Sequence, residues 1–237
     1  LYSGGDARRL LNALELIANF RTPEHSLLVT NDLVRDIIQQ NAALYDKSGE
    51  AHYDIISAFI KSMRGSDPNA AVYWLARMLD GGEDIEFIAR RMVILASEDV
   101  GLANPNALLL ATTTMDAIRM IGMPEARIIL SQCAIYLANS VKSNASYVAI
   151  DKALSLVKQT GSLPVPLHLR NAPTKLMKEL NYGSGYQYAH DFAGNFVQQD
   201  NLPKEIDGQV LYDPGVNPTE ERTRAQLREM WKGKYSY

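Results

Sequence analysis

Through most of the first 160 residues, apolar side chains recur every three or four positions, the spacing that puts one buried face on a helix. From Asp6 to Asn19 the stripe is Leu10, Leu11, Leu14, Ile17 and Ala18, with Asp6 at the cap or in the first turn. Thr30 is placed to cap a second helix that carries Leu33, Val34, Ile37 and Ile38 and ends in the polar break Gln39 to Asn41. The Ser-, Gly- and charge-rich stretch Asp46 to Glu50 then sets this small pair apart from a longer helical remainder.

That remainder repeats a rhythm of helix, break, helix. Ile55, Ile56, Phe59, Ile60 and Met63 stripe a helix over His52 to Met63, which Gly65 is in place to end. Asp67-Pro68 opens the next, because Asp accepts from the first free amides and Pro at the first helical position loses only an amide without a partner. It runs to about Leu79. After Gly81-Gly82, the positions Ile85, Ile88, Ala89, Met92, Val93 and Leu95 predict a helix to about Ser97. Asn104-Pro105 leads into an Ala- and Leu-rich helix ending near Gly122. Met123-Pro124-Glu125 leads into one that includes Ile128, Ile129, Cys133 and Leu137, and Ser146 to Gln159 supplies one more. No alternating run long enough for a sheet competes, so the fold class expected is all-α.

Beyond Gly161 the texture changes. Pro164, Pro166, Pro173, Pro203, Pro214 and Pro218 interleave with Tyr182, Tyr186, Tyr188 and Tyr212, which predicts an irregular tail wrapped on the helical body. Within it a short helix is expected near Thr174 to Leu180 and a last, exposed one over Thr219 to Trp231. Glu220 and Glu221 near the start of the latter and Arg228 near its end suit the helix dipole.

Composition changes this picture little. With 46% hydrophobic and 22% charged residues the chain has the mixture of an ordinary globular domain. A net charge of -3 argues against coating nucleic acid or an anionic membrane through bulk charge, although a local basic patch stays open. One cysteine, Cys133, builds neither a disulfide framework nor a thiolate metal cluster within one chain and fits a reducing compartment. No apolar run approaches the roughly 20 residues that span a bilayer, and no signal peptide opens the sequence, so a cytoplasmic protein without a membrane partner is expected.

The sharpest local signal is Gly5-Asp6-Ala7-Arg8-Arg9. Two arginines in a first helical turn oppose the dipole there; an outside phosphate is one reason for the placement, solvation or pairing with Asp6 the other. The segment resembles the sensor 2 motif of the AAA+ ATPases of the clamp-loader-like branch, in which a Gly-Asp-Ala-Arg run begins the third helix of the lid. Farther on, His52 to Pro68, the run Ala70 to Met78, Arg90-Arg91 through Ala103, and Tyr182-Gly183 to His190 resemble the C-terminal region of the RarA/MgsA and Werner-helicase-interacting-protein family.

The resemblance implies the following. Residues 1–40 are the C-terminal part of an AAA+ lid, and residues 41–237 form an all-α oligomerisation domain related to a clamp-loader collar, its tail irregular from about residue 161. Arg8, framed by Gly5 and Asp6, reads the nucleotide of the preceding ATPase domain. The parent uses ATP and Mg, assembles as a homotetramer, and acts at stalled replication forks beside single-stranded DNA-binding protein. Because the chain opens on Leu1 and meets this motif within a few residues, a piece of a longer protein is expected. The sequence contains no Gly-x-x-x-x-Gly-Lys-Ser/Thr loop to hold phosphates, so no complete catalytic site and no hydrolysis by the chain alone are expected.

Other candidates carry less. Asp80, Glu83 and Asp84, and Ser97-Glu98-Asp99, gather carboxylates, but acidic loops and helix starts account for them, and no metal site is expected. His25, His52, His168 and His190 have no ligand spacing. The tail tyrosines with Arg170, Lys175 and Lys178 are candidates for single-stranded DNA, or for anchoring the tail. Tyr73, Trp74 and Met78 suit either a core or an interface. The competing functional reading is a helical module that itself grips fork or single-stranded DNA.

Overall fold

A computed structural model describes residues 14, 17, 29–34 and 50–237. Between residues 50 and 237 it contains helices and irregular segments and no strand: α1 (Glu50–Arg64), α2 (Pro68–Asp80), α3 (Ile85–Leu95), α4 (Asn106–Ile121), α5 (Ala126–Asn139), α6 (Ala145–Thr160), α7 (Lys175–Glu179) and α8 (Pro218–Trp231). The all-α class read from the sequence is the class found. Of the two earlier predicted helices, residues 14, 17 and 31–34 are helical and the rest lie outside the described residues.

Local chemistry sets most boundaries where the sequence put them. Thr30 Oγ1 accepts from the Leu33 amide at 3.2 Å, Asp67 from the Ala70 amide at 2.9 Å, and Thr174 from the Met177 amide at 3.3 Å, each satisfying a donor that its helix leaves over. The helix after Gly81-Gly82 departs from expectation: its α-helical part stops at Leu95 and a π-helical turn, Ala96–Val100, continues it, closed by the Gly101 amide donating to the Ala96 carbonyl. A short 3₁₀ turn, Gly101–Ala103, follows.

The described residues fall into two compact units. The first comprises those up to Arg91 with Thr114–Ala138, the second Met92–Thr113 with Asn139–Tyr237. In the first, α1 packs on α2. Phe59, Met63, Leu75, Ile88, Ile118, Leu130 and Leu137 are fully enclosed, each contributing on the order of 1.5–3 kcal/mol of apolar burial. Arg119 of α4 grips Glu86 of α3 through Nε and Nη2 at 3.1 and 2.9 Å. Of the three ambiguous residues on α2, Met78 is core, whereas Tyr73 is exposed and meets the Trp74 ring edge-on at 5.1 Å.

Cys133 is enclosed in this first core. Burial pushes its thiol up to about 11, against a smaller opposing effect of a hydrogen bond with Thr114. At pH 8 only on the order of one thiol in a thousand is therefore a thiolate. Alkylation by iodoacetamide, followed by mass spectrometry, is expected to be at least a hundredfold slower in the native chain than in urea; equal rates would contradict the burial.

In the second unit, α6 and α8 both pack on the turn Gly101–Ala103. The tail is irregular, as expected, and carries its own anchors. The Arg170 Nε donates to the Val165 carbonyl at 2.6 Å, and its guanidinium lies 5.0 Å over the Tyr182 ring. Near the end of the chain Lys234 is held between Asp200 and Asp207, and the rings of Phe196, Trp231 and Tyr235 stack edge-on in sequence.

Candidate functional site

Gly5, Asp6 and Arg8, the nucleotide-sensing residues expected from the sequence, lie outside the described residues. Of the acidic candidates, Asp84 and Glu83 have structural tasks at the start of α3. Asp84 caps α3 by accepting from the Glu86 amide at 2.9 Å and pairs with Arg90 at 3.3 Å, while Glu83 accepts from the Asp84 amide at 3.0 Å. Among the described residues no three His, Cys, Asp or Glu converge as metal ligands would. In the tail, Tyr182 and Arg170 are spent on each other, their side chains hydrogen bonded at 3.2 Å, which favours anchoring over strand binding for that pair.

Two features of the second unit emerge only from the fold. The first is a polar junction around the π-helical turn. Asp99, buried within that turn, offers its carbonyl to the Ser143 amide at 2.7 Å, and its carboxylate faces the ammonium of Lys142. Burial holds that ammonium below its ordinary range, with Asp99 opposing the effect. Gly101 sits at φ +50°, and a Cβ there would meet the Ser143 carbonyl oxygen at 2.8 Å, so only glycine permits this approach.

Ser143 in turn reaches α8. There Asn217 caps the helix by accepting from the Glu220 amide at 3.0 Å, and its Nδ2 donates to Glu220 Oε2 at 2.6 Å. The arrangement is a capping box whose glutamate has turned inward. Glu220 is 1% exposed and accepts as well from Ser143, from the Gly215 amide and from Tyr212 at 3.4 Å. Burial alone would raise its carboxyl, but these donors outweigh burial and hold it below its ordinary value. The last helix is largely exposed, as expected, with one exception: Glu220 is its one buried residue and docks the start of α8.

The second feature is the outer side of α6. None of its sixteen residues is buried. Val148 and Leu156 line a cleft shared with the extended segment Gln209 to Leu211. Tyr147, Ile150, Leu154 and Val157 are 46, 54, 52 and 61% exposed and follow one another at steps of three, four and three. That spacing is a helix-pairing seam, here about 15 Å long and uncovered. A separate apolar patch lies in the first unit at the turn between α4 and α5, where Met120, Ile121, Met123 and Ile128 are 80, 53, 50 and 60% exposed. The sequence pattern marked α6 as an ordinary helix, and nothing in the pattern distinguished its uncovered seam from a core stripe.

These observations describe helical units, the second of which carries an apolar seam exposed on α6. The family model described as MgsA AAA+ ATPase C terminal matches residues 65–231, most of the chain. The chain belongs to this family. A second model, the AAA C-terminal domain, matches residues 1–64. Replication-associated recombination protein A of Coxiella burnetii is 48% identical over 215 residues, covering 90% of this chain and 49% of the relative. The protein of that name in Escherichia coli K12 is 41% identical over 217 residues, covering 91% and 46%. ATPase WRNIP1 of Dictyostelium discoideum is 39% identical over 243 residues, covering 95% and 28%. The chain thus spans half or less of the length of each of these relatives, and it is related through them to replication-associated recombination ATPases. No helix among the described residues is long and apolar enough to cross a membrane.

Proposed function

We propose that this chain is the assembly end of a cytoplasmic AAA+ ATPase of the MgsA family that acts in replication-associated recombination at stalled forks. In this reading residues 1–40 close the lid and residues 41–237 are the oligomerisation domain. Arg8, with Gly5 and Asp6 shaping its turn, senses the γ-phosphate of ATP bound with Mg by the ATPase domain of the parent, and the chain by itself hydrolyses nothing. Single-stranded DNA-binding protein and fork DNA are partners of the parent.

The observation that carries assembly is the seam Tyr147, Ile150, Leu154 and Val157 on α6. Apolar side chains repeating at this spacing gain little in water and much against a like helix, where each is removed from solvent at about 25 cal/mol per Å². The occupant is a second copy of the chain. A tetramer of dihedral symmetry needs two different self-complementary patches, and the seam and the α4–α5 turn supply two.

Light scattering across a concentration series tests this. The chain is expected at four times its 26.3 kDa mass. Ile150→Asp with Leu154→Asp, which places charge in the seam without touching a buried residue, is expected to reduce the mass to a dimer or monomer with helicity intact. A monomeric parent chain, or a variant of unchanged mass, would refute the seam as the interface.

A further inference from the structure

The second unit holds a trough that runs the length of α6. Two clefts, of about 560 and 330 Å³, lie between α6 and the segment 209–216, and they share Val148, Lys152 and Leu211. From Asn144 to Gln159 the trough is about 22 Å long. That length fits about seven residues of extended chain at about 3.3 Å each. One wall is the side of α6 that carries Val148, Lys152, Ser155 and Gln159, next to the seam but distinct from it. Lys152, Ser155 and Gln159 are exposed, and Val148 and Leu156 are half-buried.

The other wall is main chain without partners. Residues 209–212 run without turn or bend. Among the described residues, the amides of Val210, Leu211 and Tyr212 and the carbonyls of all four make no main-chain hydrogen bond. In an extended chain the amide and carbonyl of one residue face one edge and those of the next residue the other. Whichever edge borders the trough, its donors and acceptors are therefore unpaired, and such an edge is a template for another extended chain. Of the charges in the lining, Asp151 accepts from the Tyr147 hydroxyl, Asp213 pairs with Arg224 at 2.6 Å, and Lys142 faces Asp99. Lys152 is left with a charge unmatched among the described residues.

We propose that this trough binds an extended peptide of a partner protein. The peptide pairs its main chain with residues 209–212, rests alternate apolar side chains on Val148 and Leu156, and meets Lys152 with a carboxylate. Unpaired main-chain groups select a polypeptide: a nucleic acid would find one unmatched cation, and a lipid chain would leave the edge unsatisfied. A helix, such as α6 of a second copy, bonds its own amides and carbonyls and has none to offer the edge. The proposal does not rest on the seam, and failure of either leaves the other standing.

A random heptapeptide library displayed on phage, selected on the immobilised chain, tests it. Enriched sequences are expected to alternate apolar and polar residues and to carry one Asp or Glu. The most enriched peptide, synthesised with a fluorescent label, is then titrated by anisotropy. Methylating its amides at alternate residues, in one of the two possible frames, is expected to weaken binding about tenfold or more, because the side chains stay and the main-chain bonds go. Val210→Pro and Leu211→Pro remove amides from opposite edges of the segment, so one is expected to weaken binding about tenfold and the other to change it little. Lys152→Glu is expected to weaken it about threefold or more. The seam variant Ile150→Asp with Leu154→Asp is expected to keep the affinity, which separates the trough from assembly. Enrichment of no sequence would overturn the proposal. So would enrichment of sequences with apolar residues at steps of three and four, or an affinity untouched by methylation in either frame, a readout that leaves the folded chain unaltered.

Discussion

Replacing Glu220 by alanine is expected to destabilise the second unit by about 3 kcal/mol and to lower its Tm by about 5–15 °C in a thermal melt followed by circular dichroism. The reason is the number of donors that converge on one carboxylate. Asn217 Nδ2, the Ser143 hydroxyl and the Gly215 amide all point at it inside a site that is 1% exposed, and alanine leaves them without an acceptor. Each orphaned buried donor costs about 1–3 kcal/mol, partly recovered where water enters the space. Glu220→Gln keeps the shape and loses the charge, so about half the effect is expected.

The same residue gives the stability a pH dependence of defined sign. Its carboxyl is held below the ordinary 4.5 in the folded state. The unfolded chain therefore binds the proton first as pH falls. The contribution of Glu220 is complete above about pH 4.5 and is lost as the pH drops through the lower folded value. Between pH 7 and 5 the difference between parent and Glu220→Gln is expected to be flat, and below pH 4.5 it is expected to narrow. A difference that grows as pH falls would show that the carboxylate is not the stabilising form.

Gly101→Ala is the second large effect expected, again about 3 kcal/mol. Two costs add. The backbone at φ +50° and ψ -134° lies where a residue with a Cβ is strained by about 1–3 kcal/mol. The new Cβ would also stand 2.8 Å from the Ser143 carbonyl oxygen, a main-chain atom that cannot swing aside as a side-chain end would. Relief requires the loop between α5 and α6 to retreat, and that loop carries the Ser143 side chain that Glu220 accepts from. The two substitutions therefore share a partner. Gly101→Ala combined with Glu220→Gln is expected to cost less than the sum of the single effects by about 0.5 kcal/mol or more, measured in a double-mutant cycle by urea unfolding. Strict additivity would show that the close approach of Gly101 and the α8 dock are separate structures.

The helical class of the described region, and the starts of α2 and α7, were legible because their causes are local. Asp67 and Thr174 cap from within their own first turns, and the sequence shows both the cap and the stripe that follows. Glu220 was legible only as a favourable charge at a helix start. Its burial depends on Ser143 and Gly215, and no spacing within α8 announces a partner 77 residues earlier. The π-helical turn at Ala96–Val100 was missed for the same reason: the carbonyl it presents at Asp99 is satisfied by the amide of Ser143, from another loop.

For the candidate sites the division is the same. Resemblance placed the expected nucleotide sensor at Arg8 and led to a family that the comparisons bear out, whereas the seam on α6 was not visible beforehand. Along α1 the residues Ile56, Phe59, Ile60 and Met63 are buried, and along α6 the residues Tyr147, Ile150, Leu154 and Val157 are not, although both sets recur at helical steps. The sequence by itself determined that these segments are helices with one apolar face, because backbone geometry and side-chain spacing act within a few residues. Only the tertiary structure decided which apolar faces the chain covers and which it leaves to a partner, because covering a face requires other segments to arrive from far along the chain, and periodicity carries no record of their arrival.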